Sequence, residues 1–285
     1  MSGRTIRLAA IGAMMAGTLV AQSRREYRYN VGPKAAISIN NPYGSISVKP
    51  SSGNVVIISA LMHSNKVEVD NGQSGNRVEI QSHLLAGADA ESGRVDYDVA
   101  VPPDASVTLH SSTGPLHAEK IHGDLTLVGS NAAVDVRDVS DAHVHVKTLN
   151  GPVTLTNVQR GHVEVDSLSG AVTLDRVTGP LVQVISTSGK INYLGDFGSG
   201  GEYRLTTHSG DIEATVPEST SADVSARSIS GEVHDDIPLL PKLHTSFDVK
   251  QGSAFVGSMG QAAVSSNVVL RSYNGKIHLR KRSTK

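Results

Sequence analysis

Aliphatic and polar residues alternate along most of the chain, and the alternation restarts at a nearly constant interval. Aligned on Gly44, Gly114, Gly151, Gly170, Gly189, Gly210, Gly231 and Gly275, with Ala133 as a substituted member, the landmarks from residue 114 onward fall 19, 18, 19, 19, 21, 21 and 44 residues apart. The last interval reads as two repeats with one landmark lost. Just after each landmark stands an aliphatic residue: Ile46, Leu116, Val134, Val153, Val172, Ile191, Ile212, Val233 or Ile277. Two positions further on come Val48, Val136, Leu155, Leu174, Tyr193 and Leu279, with Ala118 and Ala214 small and Asp235 breaking the column. Upstream, Ile37/Ile39, Val107/Leu109, Val144/Val146, Val163/Val165, Val182/Val184, Tyr203/Leu205, Val224/Ala226 and Val268/Leu270 mark a second strand, and Leu125/Leu127 join it after a one-residue shift. Strand side chains alternate between faces, so each unit of about 19 residues predicts two short strands. They turn at the landmark and again near Gly123, Gly161 or Gly179. Glycine is expected at such turns because the chain takes a positive φ there.

One such unit cannot bury its own aliphatic face, whereas stacked units bury Val over Val. The pattern therefore predicts an all-β, parallel β-helix-like solenoid of two-strand coils, about 4.8 Å apart. Eight coils would make an axis of about 38 Å. A β-sandwich of hairpins is the alternative, since Ser-Gly and Asn-Gly turns also close hairpins. Residues 49–106 leave the period but still predict strands at 54–61, 66–70, 76–82 and 94–101, ended by Pro102 and Pro103. They read as a β-rich cap over the open edge of the first coil. The segment 239–241 interrupts the count near the other end.

The N-terminus carries Arg4 and Arg7 ahead of an uncharged apolar run, 8–20. Thirteen residues are too few for the ~20 that span a bilayer, and the flanks predict an export signal cut after Ala21 or Ser23. The expected organisation is a signal peptide (1–23), a β-rich N-terminal cap with the first coil (24–106), solenoid repeats (107–282) and a basic tail end (283–285). No transmembrane segment is expected after cleavage. Cysteine is absent, which excludes disulfides, thiolate metal sites and lipidation after the apolar run. The 26 Lys+Arg against 27 Asp+Glu leave a net charge of −1, no lure for nucleic acid. Only 4% of residues are aromatic and Trp is absent, so the core is aliphatic, which favours strands. Stacking of sugars or bases on rings is correspondingly disfavoured. The tail residues Arg280, Lys281, Arg282 and Lys285 read as a solvated terminus, with anionic-surface binding the alternative.

The run V-x-V-P-P-x-A-S-V-x-L at 99–109, S-S-T-G-P-L at 111–116, the repeated S-G or N-G units and V-L-R-S-Y-N-G-K-I-H-L at 269–279 resemble the bacterial "putative adhesin" domain family over residues 35–282. The resemblance implies a right-handed β-helix-like fold and an exported or envelope-associated location. It carries no catalytic residues to transfer.

Polysaccharide lyases and glycosidases also use β-helices, and their chemistry needs two carboxylates across a cleft or an acidic Ca²⁺ cluster beside a base. The outward positions Asp135, Thr154, Thr173, Asn192 and Glu213 make no such column, and neither G-x-S-x-G nor H-E-x-x-H occurs. The glycine-rich 194–201 lacks the Lys and helix of a phosphate cradle and reads as a long turn. Histidine is the one unusual chemistry, with twelve residues. With Val144/Val146 and Val163/Val165 inward, His143, His145, His162 and Glu164 face outward in equivalent places of adjacent repeats. They predict one patch able to take a divalent metal weakly, since no orienting partner is visible in the sequence; solvated strand residues are the plainer reading. No cofactor and no enzyme activity are expected. The expectation is a non-enzymatic exported or cell-envelope module, adhesin-like, binding or scaffolding an envelope or surface protein or glycan. A polysaccharide-active enzyme is the alternative.

Overall fold

In a computed structural model, which describes residues 22–237, 240–241, 253–261 and 263–282, the aliphatic columns close two sheets on one another. The described residues form 25 strands and no helix. One sheet has 12 strands and the other 13. Each coil supplies one strand to each sheet, as His143–Thr148 and Val153–Gln159 do around Gly151. Successive coils pair in parallel: Val144 stands between Leu125 and Val163, and Leu155 between Val136 and Leu174. Parallel coils in series are the topology of a β-solenoid, and the hairpin sandwich is excluded. The stacked Val, Ile and Leu of both sheets are almost wholly buried and make one continuous core.

The landmark glycines are required for a reason other than the one expected. Among them only Gly44 has a positive φ, 103°. The others are squeezed: a Cβ on Gly151, Gly170, Gly189 or Gly210 would overlap the carbonyl oxygen of the landmark in the neighbouring coil. Three residues earlier a buried Ser or Thr staples the turn. Thr148 Oγ1 accepts from the Gly151 N–H at 3.0 Å, and Ser111, Ser186, Thr207, Ser228 and Ser272 do likewise for their glycines at 2.8–3.0 Å. The substituted landmark is Ala132, not Ala133. Leu125 pairs with Val107 and Val144 without any shift, and Gly129 takes the place of the stapling Thr148. A side chain on Gly129 would sit 2.9 Å from the Ala132 Cβ, so the methyl occupies the room that the hydroxyl has elsewhere.

At the corner leaving the second strand, Lys120, Asp138, Asn157 and Arg176 take φ of 53–56°, and Gly195 takes 139°. This left-handed step turns Ile121, Val139, Val158 and Val177 into the core. Side chains brace the corner: Asn157 Nδ2 donates to Asp138 Oδ1 at 2.6 Å, and Arg160 forks onto Asp141 at 2.6 and 2.7 Å. The glycine-rich 194–201 is a turn whose Phe197 is fully buried, stacked 4.6 Å from Tyr193 and edge-on to Tyr203.

Both ends depart from chain order. Residues 49–106 are more than a cap: Arg77–Leu84 and Val95–Val101 pair in parallel with Ala36–Asn41 and Ile46–Pro50 and form a coil themselves. Antiparallel strands then close that end, Val67–Ser74 on one sheet, Val55–Met62 and Ser23–Asn30 on the other. At the far end the 44-residue interval is not two coils in series. The last coil, Ser266–Ser272 with Ile277–Lys281, inserts between the Gly210 coil and the Gly231 coil. Ser253–Met259 runs antiparallel over Ala222–Ser228, and Leu240–Pro241 pairs with it. Both sheets carry parallel strands at ten levels, which at the same rise per coil makes the axis about 48 Å rather than about 38 Å.

Residues 1–21 of the expected signal segment 1–23, residue 239 and the tail 283–285 lie outside the described residues. The first strand begins at Ser23, so cleavage after Ala21 leaves it whole and cleavage after Ser23 removes its first residue. Of the basic tail, Arg280 pairs with Glu213 at 2.8 Å and Lys281 with Glu218 at 2.6 Å.

Candidate functional site

The strands His143–Thr148 and His162–Ser167 lie side by side near the middle of the solenoid. Their inward residues Val144, Val146, Val163 and Val165 are buried, and alternation therefore sends the intervening side chains to solvent. The ladder pairs His143 with His162 and His145 with Glu164. Glu164 lies at the centre of the patch. Its Oε1 is 3.1 Å from His162 Nε2, and its Oε2 is 3.3 Å from His145 Nδ1 and 4.0 Å from His143 Nε2. The rings of His143 and His162 lie 4.6 Å apart, tilted by 32°. Below them the His143 backbone N–H donates to Asp124 Oδ1 at 3.1 Å. The four side chains are between 33% and 48% exposed, open to ions yet held against the sheet.

Burial alone would raise the Glu164 pKa, but hydrogen bonds from His145 and His162 and the charges of His143 and His162 outweigh it and hold the carboxyl below its usual range. A carboxylate kept ionised beside imidazoles is a suitable donor set for a divalent cation. One ligand atom each from His143, His162 and Glu164 lies within 4.8 Å of the others. His145 does not belong to that trio, and its Nδ1 lies against Glu164 Oε2.

Other features were readable in the same register and were missed. His117 stands opposite Asp135, 3.1 Å away, and Arg137 Nη2 is 2.9 Å from the same carboxylate. His63 with Asp96, His234 with Glu232 and His278 with Asp236 repeat the histidine–carboxylate theme at 2.7, 3.1 and 3.1 Å. The second residue before each landmark forms an outward strip along one edge. It includes Leu149 and Leu168, about half exposed like nearby Ile185, and then His208 stacked on Tyr273 at 4.9 Å. A polar ladder runs beside it, in which Asn150 donates to Asn131 and Ser169 to Asn150 at 2.7 and 2.6 Å. Two surface depressions, of about 260 and 340 Å³, lie over Asn192 and over the 197–200 turn. Lys190 and Arg280 both hold Glu213 at the first.

A family model described as Toastrack DUF4097 matches residues 17–278. No curated protein matches the chain. Among solved structures, a putative cell adhesion protein from Clostridium sporogenes ATCC 15579 aligns with 14% identity and a TM-score of 0.28, over 91% of this chain and 100% of its own. A putative adhesin from Bacteroides fragilis NCTC 9343 aligns with 12% identity and a TM-score of 0.46, over 90% and 97%.

Proposed function

The chain belongs to the Toastrack DUF4097 family, and from that premise we propose that it is an exported, non-enzymatic β-solenoid, an adhesin-like binding or scaffold module for a protein or glycan of the cell envelope or surface. The observation that carries this reading is the outward strip along the glycine edge. It sets half-exposed Leu149 and Leu168, followed by Thr187, in line with the His208–Tyr273 stack on a backbone locked coil to coil. A rigid row of apolar and polar side chains at fixed spacing suits an extended partner. Export rests on the positive and apolar N-terminal pattern alone.

Support for a non-catalytic role comes from four outward carboxylates that are tied to cations. Asp135 meets Arg137, Asp175 meets Arg176, Glu202 meets Arg204, and Glu213 meets Lys190 and Arg280. A glycosidase acid must instead be held protonated by its surroundings. The test is retention of envelope proteins and glycans on the immobilised chain, compared with Leu149→Glu/Leu168→Glu. The intact chain should retain a component that the double variant loses while its circular dichroism is unchanged. Depolymerisation of acidic or neutral glycans by the purified chain, persisting through purification, would overturn the proposal.

A further inference from the structure

We propose that His143, His162 and Glu164 form a Zn²⁺ site bridging two adjacent coils, with His145 as the residue that positions the Glu164 carboxylate. Zinc takes imidazole nitrogen and carboxylate oxygen at 2.0–2.2 Å, so tetrahedral ligands stand about 3.3 Å apart. The three donor atoms are within 4.8 Å of one another, and closure asks for side-chain movements of at most about 1.5 Å. Exposed imidazoles on fixed strands make such movements by rotation about χ1 and χ2, without disturbing Val144 or Val163 beneath.

Two imidazoles with one carboxylate suit zinc rather than magnesium or calcium, which prefer all-oxygen shells. Three protein ligands leave a fourth position open to solvent, because the patch lies on the outer face of the sheet. The orienting partner that the sequence did not reveal is present: His145 Nδ1 stands 3.3 Å from Glu164 Oε2. As an N–H donor it fixes the carboxylate while leaving Oε1 toward His162 Nε2, 3.1 Å away. Hydrogen bonds of this kind set ligand orientation and affinity in metal sites. The backbone supplies the rest, since parallel register holds His143 and His162 one strand spacing apart. The site stands whatever partner the solenoid meets.

Zinc chloride titrated into the full chain by calorimetry, with magnesium chloride as the comparison, tests the assignment. One Zn²⁺ should bind per chain, and Mg²⁺ should not compete. His162→Ala and Glu164→Gln should each weaken zinc by at least about tenfold, and His145→Phe by about tenfold, while His145→Gln, which still donates an N–H, restores most of the affinity. His234→Ala, in the separate cluster with His278, should bind as the parent does. Unchanged affinity in both His162→Ala and Glu164→Gln, or a loss on His234→Ala instead, would overturn the site. Nitrogen resonances of the imidazoles in the unmutated chain give a second reading independent of how any variant folds. Zinc should move those of His143, His145 and His162, and movement confined to His234 and His278 would refute the proposal.

Discussion

Gly170→Ala isolates the close approach of stacked turns. A Cβ at Gly170 would overlap the Gly151 carbonyl oxygen and lie 2.7 Å from its carbonyl carbon, where carbon atoms rest at about 3.5–4.0 Å. Relief requires the two coils to part by about 1 Å from their spacing of about 4.8 Å. That stretch breaks the turn's bonds between coils: Leu168 N–H to Thr148 C=O at 3.1 Å, Ser169 N–H to Leu149 C=O at 2.8 Å, and Val153 N–H to Ala171 C=O at 2.8 Å. At about 1 kcal/mol for each bond, with about 1–3 kcal/mol of overpacking added, the substitution should destabilise by about 4–6 kcal/mol. Urea unfolding followed by far-UV circular dichroism measures it. Gly72→Ala is the control, because a Cβ there meets nothing within 4 Å; it should be neutral or up to about 1 kcal/mol stabilising. Adding Ser167→Gly to Gly170→Ala copies the Gly129–Ala132 arrangement, and the pair should be less destabilised than the sum of the single changes by about 1 kcal/mol or more. A Gly170→Ala protein within about 0.5 kcal/mol of the parent would refute the close-packing argument and return the explanation to backbone φ.

Three further outcomes are expected. Burial would raise the Asp96 pKa, but the Ser45 N–H, Arg94, the Ser45 hydroxyl and His63 outweigh it and bring it to about 2 from 3.8. A folded value below the unfolded one contributes stability above about pH 4 that is lost as pH falls toward 2, so Asp96→Asn should cost about 1–2 kcal/mol at pH 7, after allowance for partial exposure, and almost nothing below pH 2. Urea midpoints at three pH values check it, and a pH-independent difference would count against the hydrogen-bond cause. Phe197→Ala should cost about 3–5 kcal/mol, because a fully buried ring stacked on Tyr193 leaves a cavity at a braced corner; thermal or urea melts report it, and a loss under about 1 kcal/mol would mean that the turn collapses onto Tyr203. N-terminal sequencing of the product from an envelope or secreted fraction should begin at residue 22 or 24, and a cytoplasmic product beginning at Met1 would contradict export.

The inward columns could be read from sequence because every coil solves the same packing problem with the same alternation, and the pairing of His143 with His162 followed from register alone. The reason for the glycines could not be read. Positive φ and a crowded neighbour both select Gly, and only the stacked geometry separates them. An alignment on aliphatic columns alone puts this landmark at Ala133, one residue late, because the Ser or Thr that stands three positions before most landmarks is replaced here; Gly129 with Ala132 is the exchange that marks the true alignment. The order of the last coils was beyond sequence reading for a physical reason. Val224/Ala226 and Val268/Leu270 offer nearly the same inward pair to Tyr203/Leu205, so local pattern does not decide which strand lies beside them.

That inserted coil bears on how the chain reaches its native state. A solenoid whose coils stack in order grows residue by residue, each new coil templated by the one just made. Here the Gly231 coil has no seat until 266–281 have been synthesised and have taken their place against Glu202–Thr207 and Ile212–Val216. Leu205 and Leu270, neighbours in the sheet, are 65 residues apart in the chain. Closing loops of that length is the slow part of β folding. The Gly231 end should therefore be the last region to protect its amides, and until then the strand Glu202–Thr207 presents an open parallel edge to any other strand within reach.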